Sequence, residues 1–153
     1  VVSSAIAFRY QKLANGREAA EKLLNDIPDE AKRERMRSIQ FDGTATPLFA
    51  VAIQQFHGLI TDMETALGQR DWLAGDTFSL ADMAYAPYAT RLEQLQLGRM
   101  WQPESRFADW FARIKEKPGY QTGLTDWFND GYLTLMAEKG AEAWPQVLDV
   151  LAA

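Results

Sequence analysis

Ser79 and Asp82 stand three residues apart inside a stretch, Gly75 to Tyr88, that is otherwise mostly apolar. A carboxylate in that setting can be a general acid, a ligand or part of the scaffold. Acid–base chemistry usually uses a second acid or base, and none is spaced to help Asp82. His57 is the only histidine and has no recognisable partner, so it reads as a surface or half-buried residue. Asp62 and Glu64 are two apart, a spacing that does not place both on one helix face. No His, Asp or Glu spacing suggests a metal ion. The chain has no cysteine, which excludes disulfides, thiolate nucleophiles and thiolate metal sites. That usage fits a reducing cytoplasm, the location expected for this chain.

The scaffold reading of Asp82 has three local supports. With a helix starting at Ser79, its hydroxyl is the N-cap and Asp82 falls at N3, where its carboxylate can reach back to the Ser79 N–H. Phe78 and Met83 occupy the hydrophobic-staple positions. The negative charge also sits at the positive end of the helix dipole. Ser79 and Asp82 are therefore read as a structural capping box, and this chain is given no catalytic residue.

The elements around that box read as helices almost throughout. The first starts near Ser3 or Ser4, with Ile6, Tyr10 and Leu13 on one face. Asn15-Gly16 breaks it, and Arg17 to Asn25 continues. Pro28 marks a further start, in a segment ending near Gly43. Thr46 is an N-cap with Pro47 at N1. Leu48, Ala52, Phe56, Leu59, Met63 and Leu67 then form the stripe of a long helix stopped by Gly68. In the next helix Leu80, Ala84, Tyr88, Leu92 and Leu95 make the expected buried stripe, and Pro87 removes one hydrogen bond and bends it. Another helix spans about Glu104 to Lys117, with Phe107, Phe111 or Trp110, and Ile114 inward. Short helical pieces are expected after Pro118. Strand-like alternation is absent, so the fold class is an all-α helical bundle.

Composition narrows the function further. A chain of 153 residues is one domain on length alone. Its net charge of −5 opposes nucleic-acid binding. The basic run Lys32 to Arg37 is diluted by Asp29, Glu30 and Glu34 and reads as a solvated helix face, with Asp29 and Arg33 spaced to pair. No apolar run approaches the roughly 18 residues of a membrane span, and the start lacks the basic region of a signal peptide. Neither a nucleic acid nor a membrane is expected as a partner. Residue 1 is Val, not Met, which fits the expectation of a chain cut from something longer.

The stretch "WLAGDTFSLADMAYAPYATRLEQL" resembles the central helix region of the C-terminal domain of glutathione transferases, where a Ser-x-x-Asp box and staple open the core helix. "WFARIKEKPGYQTGL" resembles the following helix and its Lys/Arg-Pro connector. "GLITDMETALGQRDWLAGD" resembles the end of the preceding long helix. The resemblance covers residues 46–124, with residues 1–45 agreeing in layout. The segment "IPDEAKRERM" and the long tail resemble bacterial members of the β-etherase or dehalogenase type.

This resemblance implies that residues 1–153 form the helical domain of a two-domain protein. The N-terminal thioredoxin-like domain, which binds glutathione as co-substrate and activates its thiol, is absent from this chain. The helical domain would hold a small hydrophobic electrophile, and the whole protein would be a homodimer. In the family the electrophile pocket is lined by the first helix of this domain and often by the tail. Carried onto this chain, that names Ser4, Phe8 and Tyr10, with Tyr10 able to donate to a developing charge, and Trp127 in the tail beside Phe128 and Tyr132. The other reading keeps Ile6, Tyr10 and Leu13 as core, and the tail aromatics as packing against the bundle. A different class of function is also open. Appended domains of this fold hold complexes together in translation elongation factor gamma subunits and some aminoacyl-tRNA synthetases, without catalysis.

Overall fold

Capping signals in the sequence set most helix ends in the computed structural model, which describes residues 1–153. The chain is helical from Val2 and passes through a π-helical turn, Ser4–Phe8. The helices that follow are α1 (Arg9–Leu13), α2 (Arg17–Asn25), α3 (Glu30–Asp42), α4 (Pro47–Leu67), α5 (Leu80–Gln94), α6 (Arg106–Lys115), α7 (Pro118–Gly123) and α8 (Asp130–Ala152). There is no strand; Trp72 and Gly75 form a single isolated bridge. The all-α bundle read from the sequence is the architecture found.

Local chemistry explains the ends. Gly16, at φ +88°, separates α1 from α2. Thr46 caps α4 with Pro47 at N1, and Gly68 ends it. The start of α3 is set by Asp29 rather than by Pro28: the Asp29 carboxylate accepts from the Lys32 N–H at 2.9 Å. Arg33 does not pair with Asp29 but donates to the Ile27 carbonyl at 2.7 Å. Glu64 reaches from α4 across to α6, accepting from the Arg106 and Phe107 N–H groups at 3.0 and 2.8 Å. It satisfies two of the donors that a helix N-terminus leaves open.

Asp82 has more partners than a capping box needs. Oδ2 accepts from the Ser79 N–H and hydroxyl at 2.9 and 2.8 Å. Oδ1 accepts from the Leu73 N–H at 3.0 Å and from Trp110 Nε1 at 2.9 Å. One fully buried carboxylate thus ties α5, α6 and the connector together. Burial pushes its pKa up, but the donors from Leu73, Trp110 and Ser79 outweigh that and hold it below the usual carboxylate value.

Those bonds also fix the rotation of α5. With Asp82 facing α6, Ala86 and Ala89 follow on the buried face. The stripe expected from Leu80, Ala84 and Tyr88 lies on the other side. Leu80 is 79% exposed and Tyr88 53%, while only Leu92 and Leu95 are buried. In α4 Phe49, Ile53 and Ile60, outside the expected stripe, are likewise buried, Phe49 and Ile53 completely. They accompany Ala52, Met63 and Leu67 of the expected stripe, while Leu48, Phe56 and Leu59 are half-buried.

The tail corrects another expectation. Instead of short pieces, α8 is one helix of 23 residues that carries Pro145 inside it. Pro145 cannot bond the Ala141 carbonyl, yet Met136, Gly140, Ala143 and Val147 keep one face buried against the bundle. That packing against α4, α5 and the first helical segment outweighs one missing bond.

Candidate functional site

Two cavities flank the exposed face of α5, and Pro87 lines both. The first, about 420 Å³, lies between α5, α6 and α7, with Phe78, Met83, Ala86, Ile114, Lys117 and Tyr120 in its wall. The Lys117 ammonium lies over the rings of Trp72 and Phe78, at 4.7 and 5.2 Å from their centroids. Phe78 itself packs edge-on to Trp72. Tyr120 hydroxyl is 2.8 Å from Thr90 Oγ1, which donates to the Ala86 carbonyl. With the Thr90 proton so used, Tyr120 is the donor of that pair.

The second cavity, about 410 Å³, lies between the start of the chain, α4 and the C-terminal half of α5. Val2, Ser3, Phe56, Tyr88, Arg91 and Leu95 help to line it. Both volumes fall in the range of small-molecule sites. Arg91 is the unusual wall residue. It is half-buried, and no carboxylate lies within ion-pairing distance of it. Its one hydrogen bond runs from Nη1 to Met136 Sδ at 2.8 Å, a weak acceptor. Its guanidinium lies 5.6 Å from the Phe8 ring centroid. Burial lowers its pKa from the ordinary arginine value.

The residues named from the sequence are distributed as follows. Phe8 meets Tyr132 of α8 edge-on at 5.6 Å and supports Arg91. Ser4 lines neither of these two cavities but a crevice of about 50 Å³ with Arg9, Lys12, Met36, Ile39 and Gln40. Tyr10 is exposed and not part of the core, with Lys139 4.8 Å and Arg9 5.6 Å from its ring centroid. Ile6 is buried and Tyr10 is not, so the two do not share a core-facing stripe. Trp127 is 80% exposed, its Nε1 donating to the Thr122 carbonyl at 2.9 Å. Neither Tyr10 nor Trp127 lines either of the cavities beside α5. Arg91 was missed in the sequence; the available signal was a lone cation one turn after Pro87 in an apolar helix. Ser79 and Asp82 form the capping box.

His57 is exposed. The structure contains no group of three or more His, Asp or Glu side chains placed to hold a metal ion. No helix is long and apolar enough to cross a membrane.

An all-helical bundle whose core helix opens on a Ser-x-x-Asp box, with apolar cavities on both sides of that helix, is the class these features define. The chain belongs to the family described as glutathione S-transferase, C-terminal domain, which matches residues 15–113. It is similar to Glutathione S-transferase TCHQD of Arabidopsis thaliana, at 31% identity over 72 residues. That match covers 46% of this chain and 27% of the plant protein, so the chain matches well under two thirds of the relative's length. No solved structure matched the chain.

Proposed function

We propose that this chain is the helical, electrophile-selecting domain of a glutathione-dependent transferase, with thiol activation in a thioredoxin-like domain outside the sequence. The observation that carries this reading is the uncovered apolar face of α5. Leu80, Met83, Ala84, Tyr85 and Tyr88 all stand exposed between two cavities. A contiguous apolar face of this kind favours coverage by another domain. The cavity beside Arg91 and Phe8 then forms one wall of a site whose opposite wall carries glutathione.

The role of the helical wall is positional. A neighbouring donor lowers the pKa of a thiol and makes the thiolate available. That task is assigned to no residue of this chain. Holding a small hydrophobic electrophile beside the sulfur converts a bimolecular encounter into a positioned one. A homodimeric parent protein in the cytoplasm completes the proposal.

Intact mass of the natural gene product tests it. The expected product exceeds the 17.3 kDa of this chain by roughly one small domain. The isolated chain should not conjugate glutathione to a generic aryl halide; turnover by it alone would contradict the division of labour. A natural product of 17.3 kDa would instead favour the second reading, an assembly module whose α5 face docks a partner protein. The same exposed face supports that reading.

A further inference from the structure

We infer that the cavity between the start of the chain, α4 and α5 selects apolar small molecules that carry a single carboxylate, held by the Arg91 guanidinium. This deepens the reading of that cavity as the electrophile wall and rests on it.

The guanidinium of Arg91 has an unmet demand for an acceptor. A charge taken partly out of water is normally paired, because burial without a partner is costly. Arg91 has no carboxylate in reach, and its single protein acceptor is the thioether of Met136. A guanidinium carries five N–H donors in a planar fork, so most of its capacity is unused. Its nitrogens are not sealed off either: the one buried side-chain nitrogen or oxygen without a partner is Arg9 Nε. The free donors of Arg91 are thus reachable, and the residue lines a cavity of about 410 Å³.

The surroundings define the rest of the ligand. Val2, Phe56, Pro87, Leu92 and Leu95 give the cavity an apolar wall, which suits an aliphatic or aromatic body. Phe8 lies against the guanidinium and Met136 holds Nη1, so the fork is oriented before anything binds. A fork of that shape matches a carboxylate with two parallel hydrogen bonds. Arg91 is the only cationic side chain in that wall. One persistent positive charge balances a monoanion; a phosphate monoester, at about −1.5 to −2, would leave charge unpaired.

The test is calorimetric titration of the purified chain with 1-naphthaleneacetate and with 1-naphthaleneacetamide, which share a body and differ in charge. The acid should bind about tenfold or more tighter than the amide. Arg91→Met should abolish that preference while leaving amide affinity within about twofold, and Arg91→Lys should restore part of it. Acetylating the Val1 amine and the Lys117→Met variant should both leave the preference intact. Loss of the preference in either control would overturn the assignment to Arg91. Should Arg91→Met not fold, wild-type chain with ¹⁵N-labelled arginine supplies the readout. The Arg91 Nε–H resonance, assigned from Arg91→Lys, should shift with the acid and not with the amide. Equal wild-type affinities for acid and amide would overturn the carboxylate inference and leave the electrophile-wall reading standing. Binding of neither would overturn both.

Discussion

Gly140 of α8 lies against the backbone of Leu95, so close that a Cβ on Gly140 would fall 1.8 Å from the Leu95 carbonyl oxygen. One turn earlier on each helix, Met136 accepts the hydrogen bond from Arg91. The two contacts form one seam between α5 and α8. The bare backbone of Gly140 sets the depth at which α8 docks, and that depth puts the thioether against the guanidinium.

Gly140→Ala should therefore destabilise the fold. Alanine is the better helix former by roughly 1 kcal/mol, but the obstacle is backbone that cannot rotate away. Overpacking of this kind usually costs about 1–3 kcal/mol, and this site belongs at the upper end. A urea melt should show a net loss of about 2 kcal/mol; an unchanged midpoint would mean that α8 slides freely past Leu95.

Asp82→Asn should cost more than a lost cap. The cap alone is worth about 1 kcal/mol, and the substitution also puts an amide NH₂ where donors from Ser79, Leu73 and Trp110 converge. A total near 3 kcal/mol is expected. The pH dependence has a definite sign. The folded pKa is depressed, so between about 3.9 and that lower value the unfolded chain binds more protons. The contribution of Asp82 is full above that window and disappears as pH falls through it. Acid melts of wild type and Asp82→Asn should differ most at neutral pH and converge in strong acid.

Gly43 meets two separate restrictions. Its φ is +60°, and a Cβ would fall 1.5 Å from Arg9 Nη1. Arg9 also donates through Nη2 to the Phe41 carbonyl at 2.7 Å, which holds it in place. Gly43→Ala should cost about 1–2 kcal/mol. In an Arg9→Ala background most of the steric part should vanish, leaving the tighter contact with the Ala5 carbonyl at 3.2 Å and the backbone part. A double-mutant cycle showing strict additivity would contradict that separation.

Leu80→Ser probes the exposed face of α5. A side chain 79% exposed should change stability by no more than about 0.5 kcal/mol. If that face docks another domain or protein, Leu80→Ser combined with Tyr88→Ser should weaken the association seen by sedimentation or co-purification. The melting temperature of the isolated chain should barely move.

Most helix ends were legible because capping is local chemistry. Thr46 and Pro47, Ser79 and Asp82, and the glycines at 16, 43 and 68 each act on backbone within a few residues. They specify where helices start and stop whatever the helices pack against. The same local signals identified the capping box and, with its staple, part of the resemblance to the family whose model matches residues 15–113.

The sequence pattern found the buried face of α6, with Phe107, Trp110, Phe111 and Ile114 inward, but the faces of α4 and α5 were decided only in three dimensions. The segment from Leu80 to Leu95 is apolar on nearly every side, so periodicity alone could not choose between Tyr88 and Ala89. The bond from Trp110 to Asp82, 28 residues apart in the chain, made that choice by fixing the rotation of α5. Arg91 stood out only once α8 and Phe8 were packed beside it, with Met136 45 residues away. Gly140 carries no local sign of its role, because the carbonyl it accommodates belongs to another helix. The sequence by itself determined the all-helical class, most helix ends before α8 and the acidic, cysteine-free character of the chain. Burial, the two cavities and the unpaired guanidinium followed from long-range packing, which short-range patterns do not encode.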